Sequence, residues 1–159
     1  MSPLKFVPAA LLAASIVTTA AIAAPLGPFA ALTGSWAGSG SIAFKDGHSE
    51  PLRCRADEAG GRGDTLQLTL RCASDSYNFE LSGDATYSGG QISGTWHEAT
   101  RNVGGPLTGH ASGERIDVAA RSDNFAANLA LTTRGNRQVV SISAAGTEIS
   151  EVTLSMSRR

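Results

Sequence analysis

Aromatic residues are scarce in this chain, at 6% of 159 residues, and charged residues reach only 17%. Lysine is nearly absent, with Lys5 and Lys45 alone. No basic tract exists and the formal net charge is −1, so neither a nucleic acid nor an anionic membrane surface is an expected partner. No segment sustains a 3.6-residue apolar period over several turns, which excludes a helical domain. Eighteen glycines are present, but none opens a helix as a phosphate-cradling loop does. No serine stands in a nucleophile elbow, and no carboxylate pair stands apart from ordinary surface acids. These absences predict a protein that performs no catalysis and needs no cofactor.

At the start of the chain, Lys5 precedes an apolar, Ala-rich run from Phe6 to Ala24. Ala21-Ile22-Ala23 gives the small-x-small pattern of a signal-peptidase site. Cleavage after Ala23 is favoured, because cleavage after Ala24 would leave Pro25 as the first residue. Residues 1–23 are therefore read as a signal peptide, and the chain as periplasmic or secreted. The run is marginal in length for a bilayer span, so no integral membrane segment is expected after cleavage. No cysteine lies at the cleavage region, which argues against a lipid anchor. Loss of Lys5 would take the net charge from −1 to −2.

Two cysteines, Cys54 and Cys72, make an even count, which in an exported chain reads as a disulfide. In "PLRCRAD", Leu52, Cys54 and Ala56 share one strand face, opposite Arg53, Arg55 and Asp57. In "DTLQLTLRC", Leu66, Leu68, Leu70 and Cys72 alternate with Gln67, Thr69 and Arg71. Both cysteines thus fall on apolar faces, and "GGRG" at 60–63 joins the two segments as a hairpin. The arginine triplet 53, 55 and 71 then reads as a solvated face. No C-x-x-C occurs, which leaves metal binding or thiol catalysis without a motif.

From Ser35 onward the chain reads as short alternating segments punctuated by Gly, Asn, Asp and Ser. Candidate strands are 35–44, 51–59, 64–73, 77–88 (broken near Gly83), 91–100, 106–112, 115–121, 125–133, 137–144 and 151–157. Residues 24–34 form a lead-in with one short helical turn, and 35–159 a single all-β domain. Eight to ten short strands joined by turns such as "SGG" and "RGN" predict an antiparallel up-and-down β-barrel, with a β-sandwich as the alternative.

The stretch "LTGSWAGSGSI" opens the first strand, with Trp36, Gly38, Gly40, Ile42 and Phe44 on one face. Glycines there let the strand bend and leave room for the indole to lie across a barrel floor. Followed by a closed meander, "LTGSW" resembles the first strand of the lipocalin and avidin superfamily. The chain as a whole is also similar to a group of small exported bacterial proteins. The resemblance implies a ligand-binding barrel in which an arginine near the chain's end packs on the tryptophan; Arg158 or Arg134 could supply it. The other lipocalin signatures and avidin's later tryptophans are not evident. A second echo, "ISGTW" at 92–96, places Trp96 either as a second wall of a pocket or as a second core residue.

Most unusual polar residues fall in "WHEATRNVGGPLTGH". "NVGGP" is a turn candidate, and symmetric pairing about it sets His97 opposite His110. Those two imidazoles are weak candidates for a metal site, without a third ligand. Glu98 and Arg101 fit a surface ion pair beside the turn. Alternatively, Arg101 and Asn102 could line a barrel mouth and bind an anionic group. Two functions are consistent with these residues. One is a barrel holding a small apolar molecule against Trp36, Trp96, Phe79 or Tyr87. The other is a cell-envelope interaction module with a filled interior and an apolar outer patch for a protein partner.

Overall fold

The computed structural model describes residues 26–159. The signal-peptide reading, with Ala23 and Ala24 at its cleavage site, lies outside the described residues. A short 3-10 helix, Pro28–Ala31, precedes ten strands. These are β1 (Gly34–Phe44), β2 (Ser49–Ala59), β3 (Thr65–Ala73), β4 (Asn78–Ser88), β5 (Gln91–Glu98), β6 (Val103–Ser112), β7 (Arg115–Arg121), β8 (Ala126–Arg134), β9 (Arg137–Ala145) and β10 (Ile149–Arg158). Each strand pairs antiparallel with its neighbour in sequence, and β1 pairs with β10 to close the barrel. Closure removes the sandwich alternative and leaves the sheet no edge.

Period-two alternation sorts the side chains. On β2, Leu52, Cys54, Ala56 and Glu58 are buried while Arg53, Arg55 and Asp57 are exposed. Cys54 and Cys72 are direct cross-strand partners, their Cα atoms 4.2 Å apart, and they form a disulfide. An oxidising environment is the setting in which such a bond persists. The outer surface is polar. Leu26 and Val139 are the large hydrophobic side chains exposed among the described residues, and no helix among them is long and apolar enough to cross a membrane.

Two expectations from the sequence are corrected. Strand β4 runs unbroken through Gly83. The β5–β6 turn lies at residues 99–102, not at "NVGGP". Asn102 takes the left-handed conformation there, with φ 53°. Gly104 and Gly105 already belong to β6, where a Cβ would overlap the carbonyl oxygens of Trp96 and Arg121 respectively. Those glycines serve close backbone approach rather than chain reversal. The shifted turn changes the register, so His97 pairs with Gly104 and His110 with Gln91. The two imidazoles do not face one another.

One end of the barrel is plugged. Backbone bonds from Gly27 to Arg62 and from Phe29 to Gly63 tie the lead-in across the β2–β3 loop. Phe29 and Leu32 are thereby driven into the bore, at 1% and 2% exposure. Trp36 is fully buried beside them, its Nε1 donating to the Leu32 carbonyl at 2.7 Å. The Arg158 guanidinium lies 4.3 Å over the indole ring. It also donates to the carbonyls of Thr33 and, at 2.9 Å, Ala31. A side chain at Gly34, whose φ is +139°, would collide with that guanidinium. The Gly-x-Trp pair is thus one device: the glycine makes room for the cation that seals the ring. Arg134 instead pairs with Glu114 on the outside, at 2.7 Å.

Candidate functional site

The core is asymmetric around the bore. On β1, β2 and β10 the inward side chains of Ile42, Leu52, Leu154 and Met156 are no more than 3% exposed. On β3 to β9 buried residues such as Leu70, Ile92, Ile116 and Val140 alternate with inward side chains that are only partly buried, Leu66, Leu68, Leu81, Leu107, Val118, Leu129 and Ile142. They line an internal apolar chamber of about 200 Å³.

The opposite end is open. A cavity of about 710 Å³ is lined by Tyr77, Phe79, Trp96, Glu98, Arg101, Asn102 and Phe125, with further residues from the surrounding strand ends. It shares Leu81, Trp96, Phe125 and Ile142 with the inner chamber. Trp96 and Phe125, with ring centroids 5.1 Å apart, stand at the junction of the two spaces. Trp96 pairs with Gly83 on one side and Gly105 on the other. Two glycine neighbours leave the indole room to lie along the wall, and its Nε1 reaches the Arg121 carbonyl at 3.2 Å.

The rim is built around two carboxylates. Glu98 points inward with Trp96 and is 6% exposed. Burial pushes its carboxyl up, but backbone N–H groups outweigh this and hold it below its ordinary value. Those groups are Glu80 N at 3.0 Å, Thr100 N at 3.0 Å and Arg101 N at 2.8 Å. Its separation from Arg101 is 3.6 Å. The expected Glu98–Arg101 ion pair forms, with Arg101 exposed and Glu98 buried, and Glu98 in addition braces the 99–102 turn. Arg101 is placed by three contacts: Glu98, the Asn78 carbonyl at 3.0 Å, and the Tyr77 ring, 3.9 Å from its centroid. Glu50 fixes the loop that carries Tyr77. The hydroxyls of Ser74 and Ser76 and the Ser76 backbone N–H hold it at about 2.

At the plugged end, two polar side chains enter the apolar chamber. Gln138 Nε2 donates to Glu58 Oε2 at 3.0 Å. Gln138 is fully buried and Glu58 is 7% exposed. Burial pushes the Glu58 carboxyl up to about 7, against the opposing Gln138 hydrogen bond and the charge of Arg158. Gln138 Oε1 has no hydrogen-bond partner among the described residues. An unmet buried acceptor of this kind costs about 1–3 kcal/mol.

The residues singled out from sequence therefore separate. Trp96, Arg101 and Asn102 meet at the mouth. Trp36 lies in the floor plug and lines neither space. Phe79 lines the mouth, whereas Tyr87 meets Phe29 edge-on at 6.5 Å. His97 is 3.2 Å from the Asn102 side chain, and His110 is 3.8 Å from Asp117 on the outer wall. No cluster of three potential metal ligands occurs among the described residues. Sequence reasoning overlooked Tyr77, Phe125, Glu58 and Gln138. The last two were signalled by the same alternation that placed Cys54 and Val140 inward.

No protein-family model matches this chain, and no curated protein is significantly similar to it. Solved structures that share its fold include two from different organisms. Rv2717c from M. tuberculosis superposes with a TM-score of 0.65 at 14% identity, covering 81% of this chain and 93% of that one. The S-type phycobiliprotein lyase CPES from Guillardia theta gives 0.59 at 12% identity, covering 82% and 89%. At these identities the likeness is one of fold. The molecule is a closed ten-stranded antiparallel barrel with one plugged end, one open end and an apolar inner chamber.

Proposed function

We propose that this chain is an exported barrel that binds a small apolar molecule in its bore and performs no chemistry on it. One observation carries the reading. Leu66, Leu68, Leu81, Leu107, Leu129, Val118 and Ile142 remain partly uncovered around an apolar chamber that adjoins an open mouth. Leaving such surface uncovered forfeits about 25 cal/mol per Å² of burial, which an apolar ligand would restore. The disulfide and the leader-like N-terminal run support export. The braced rim, with Glu98 and Glu50 fixing the loops that carry Arg101 and Tyr77, gives the mouth a set shape before the ligand arrives. Native mass spectrometry of the protein isolated from its own cells tests this. The expected result is a chain starting at Ala24, 2 Da lighter than its reduced form, carrying a discrete extra mass that is lost on denaturation. A chain that retains residues 1–23 would refute export. A bare chain that also fails to take up added apolar compounds would refute binding.

A further inference from the structure

The inner chamber is apolar except at its floor, where Gln138 and Glu58 enter it together. Gln138 comes from β9 and Glu58 from β2, so the pair spans the floor in front of β1 and β10. One amide hydrogen of Gln138 is used on Glu58, while its Oε1 has no partner and is fully enclosed. We propose that the chamber selects apolar molecules bearing a hydroxyl group at the end that enters first, the Gln138 amide turning its Oε1 into the chamber to accept the hydroxyl hydrogen. This inference rests on the binding function proposed above.

The choice of hydroxyl follows from the charges around the floor. A carboxylate end has no hydrogen to donate to Gln138 Oε1 and would lie against the Glu58 carboxyl. An ammonium end would carry its charge into an apolar chamber whose one acid, Glu58, is held largely protonated below about pH 7 by burial. A hydroxyl is neutral, donates once, and keeps its oxygen free to accept. A purely apolar end would leave Gln138 Oε1 unmet, as it is without ligand. Arg101 at the far end already has Glu98, the Asn78 carbonyl and the Tyr77 ring as partners. The polar group is therefore recognised at the floor, not at the mouth.

The test uses N-phenyl-1-naphthylamine as an uncharged fluorescent probe, displaced by 1-octanol, 1-chlorooctane, octanoate or octylammonium. In the wild-type protein 1-octanol should displace the probe better than octanoate or octylammonium. In Gln138→Leu, and in the volume-matched Gln138→Met should the first not fold, the affinity for 1-octanol should drop about tenfold. The affinity for 1-chlorooctane should hold or rise. If the probe and 1-chlorooctane bind but 1-octanol is indifferent to both substitutions, the hydroxyl inference is overturned and the binding barrel stands. Loss of the 1-octanol affinity in Arg101→Leu, with both Gln138 variants unaffected, would move recognition to the mouth and also overturn it. If neither the probe nor any of the four compounds binds, both readings fall.

Discussion

Replacing Glu58 with glutamine should remove part of the pH dependence of stability, in a direction fixed by its burial. The carboxyl is raised from 4.5 to about 7 in the folded protein. An acid whose folded value exceeds its unfolded value holds its proton more tightly when folded. Its contribution is complete below about pH 4.5 and is lost as the pH rises through about 7. A shift of this size corresponds to about 3 kcal/mol, most of it falling between about pH 5 and about pH 8. At 7% exposure, solvent screening discounts this little. Urea unfolding of the wild type and of Glu58→Gln at the two pH values isolates the effect, because all other titrating groups cancel. The stability difference between the proteins should move by about 2–3 kcal/mol, with the wild type losing ground toward alkaline pH. A difference that stays constant across the range, or drifts the other way, would refute the burial of an ionisable Glu58 in the floor.

Other perturbations read other parts of the barrel. Reducing the Cys54–Cys72 bond, which closes a loop with a separation of 18 residues, should cost about 3 kcal/mol. The reduced wild type should then match the double serine variant in urea unfolding; unequal midpoints would show another role for the thiols. Trp36→Ala should cost about 3–5 kcal/mol, because it empties the floor beneath Arg158. A variant of normal stability that loses ligand instead would make Trp36 a binding residue. Glu98→Ala strips three backbone N–H groups of their acceptor and should cost about 2 kcal/mol at neutral pH. The penalty should shrink in acid: Glu98 lies below its ordinary value when folded, so its contribution is lost as the pH falls through that lowered value. A penalty independent of pH would mean that packing, not charge, is what the side chain supplies.

The strand plan was legible in the sequence because period-two alternation and turn residues are local signals. The hairpin of Cys54 and Cys72 shows this best, since one face of each segment is apolar and a glycine cluster joins them. "NVGGP" misled for a physical reason. Glycine and proline mark turns only when chain reversal is their task, and here Gly104 and Gly105 relieve close contacts to Trp96 and Arg121. Those contacts are made across strands, so nothing local reveals them. The error moved the register and brought His97 against Asn102 rather than His110. The polar floor was half visible. Alternation puts Glu58 and Gln138 inward, but their meeting depends on closure of the barrel by β1 and β10. Hollowness was not legible, because Leu66 and Leu129 look the same in sequence whether they face a void or a neighbour.

The central claim is that the bore is a binding chamber. A fluorescence titration with N-phenyl-1-naphthylamine, run beside an Ala127→Phe variant, tests it most directly. Ala127 lines the inner chamber, and a ring there would occupy the space assigned to ligand. The account predicts saturable one-to-one binding to the wild type and at least about tenfold weaker binding to the variant, with the fold retained by circular dichroism. Equal binding to both proteins, or none to the wild type, would contradict it.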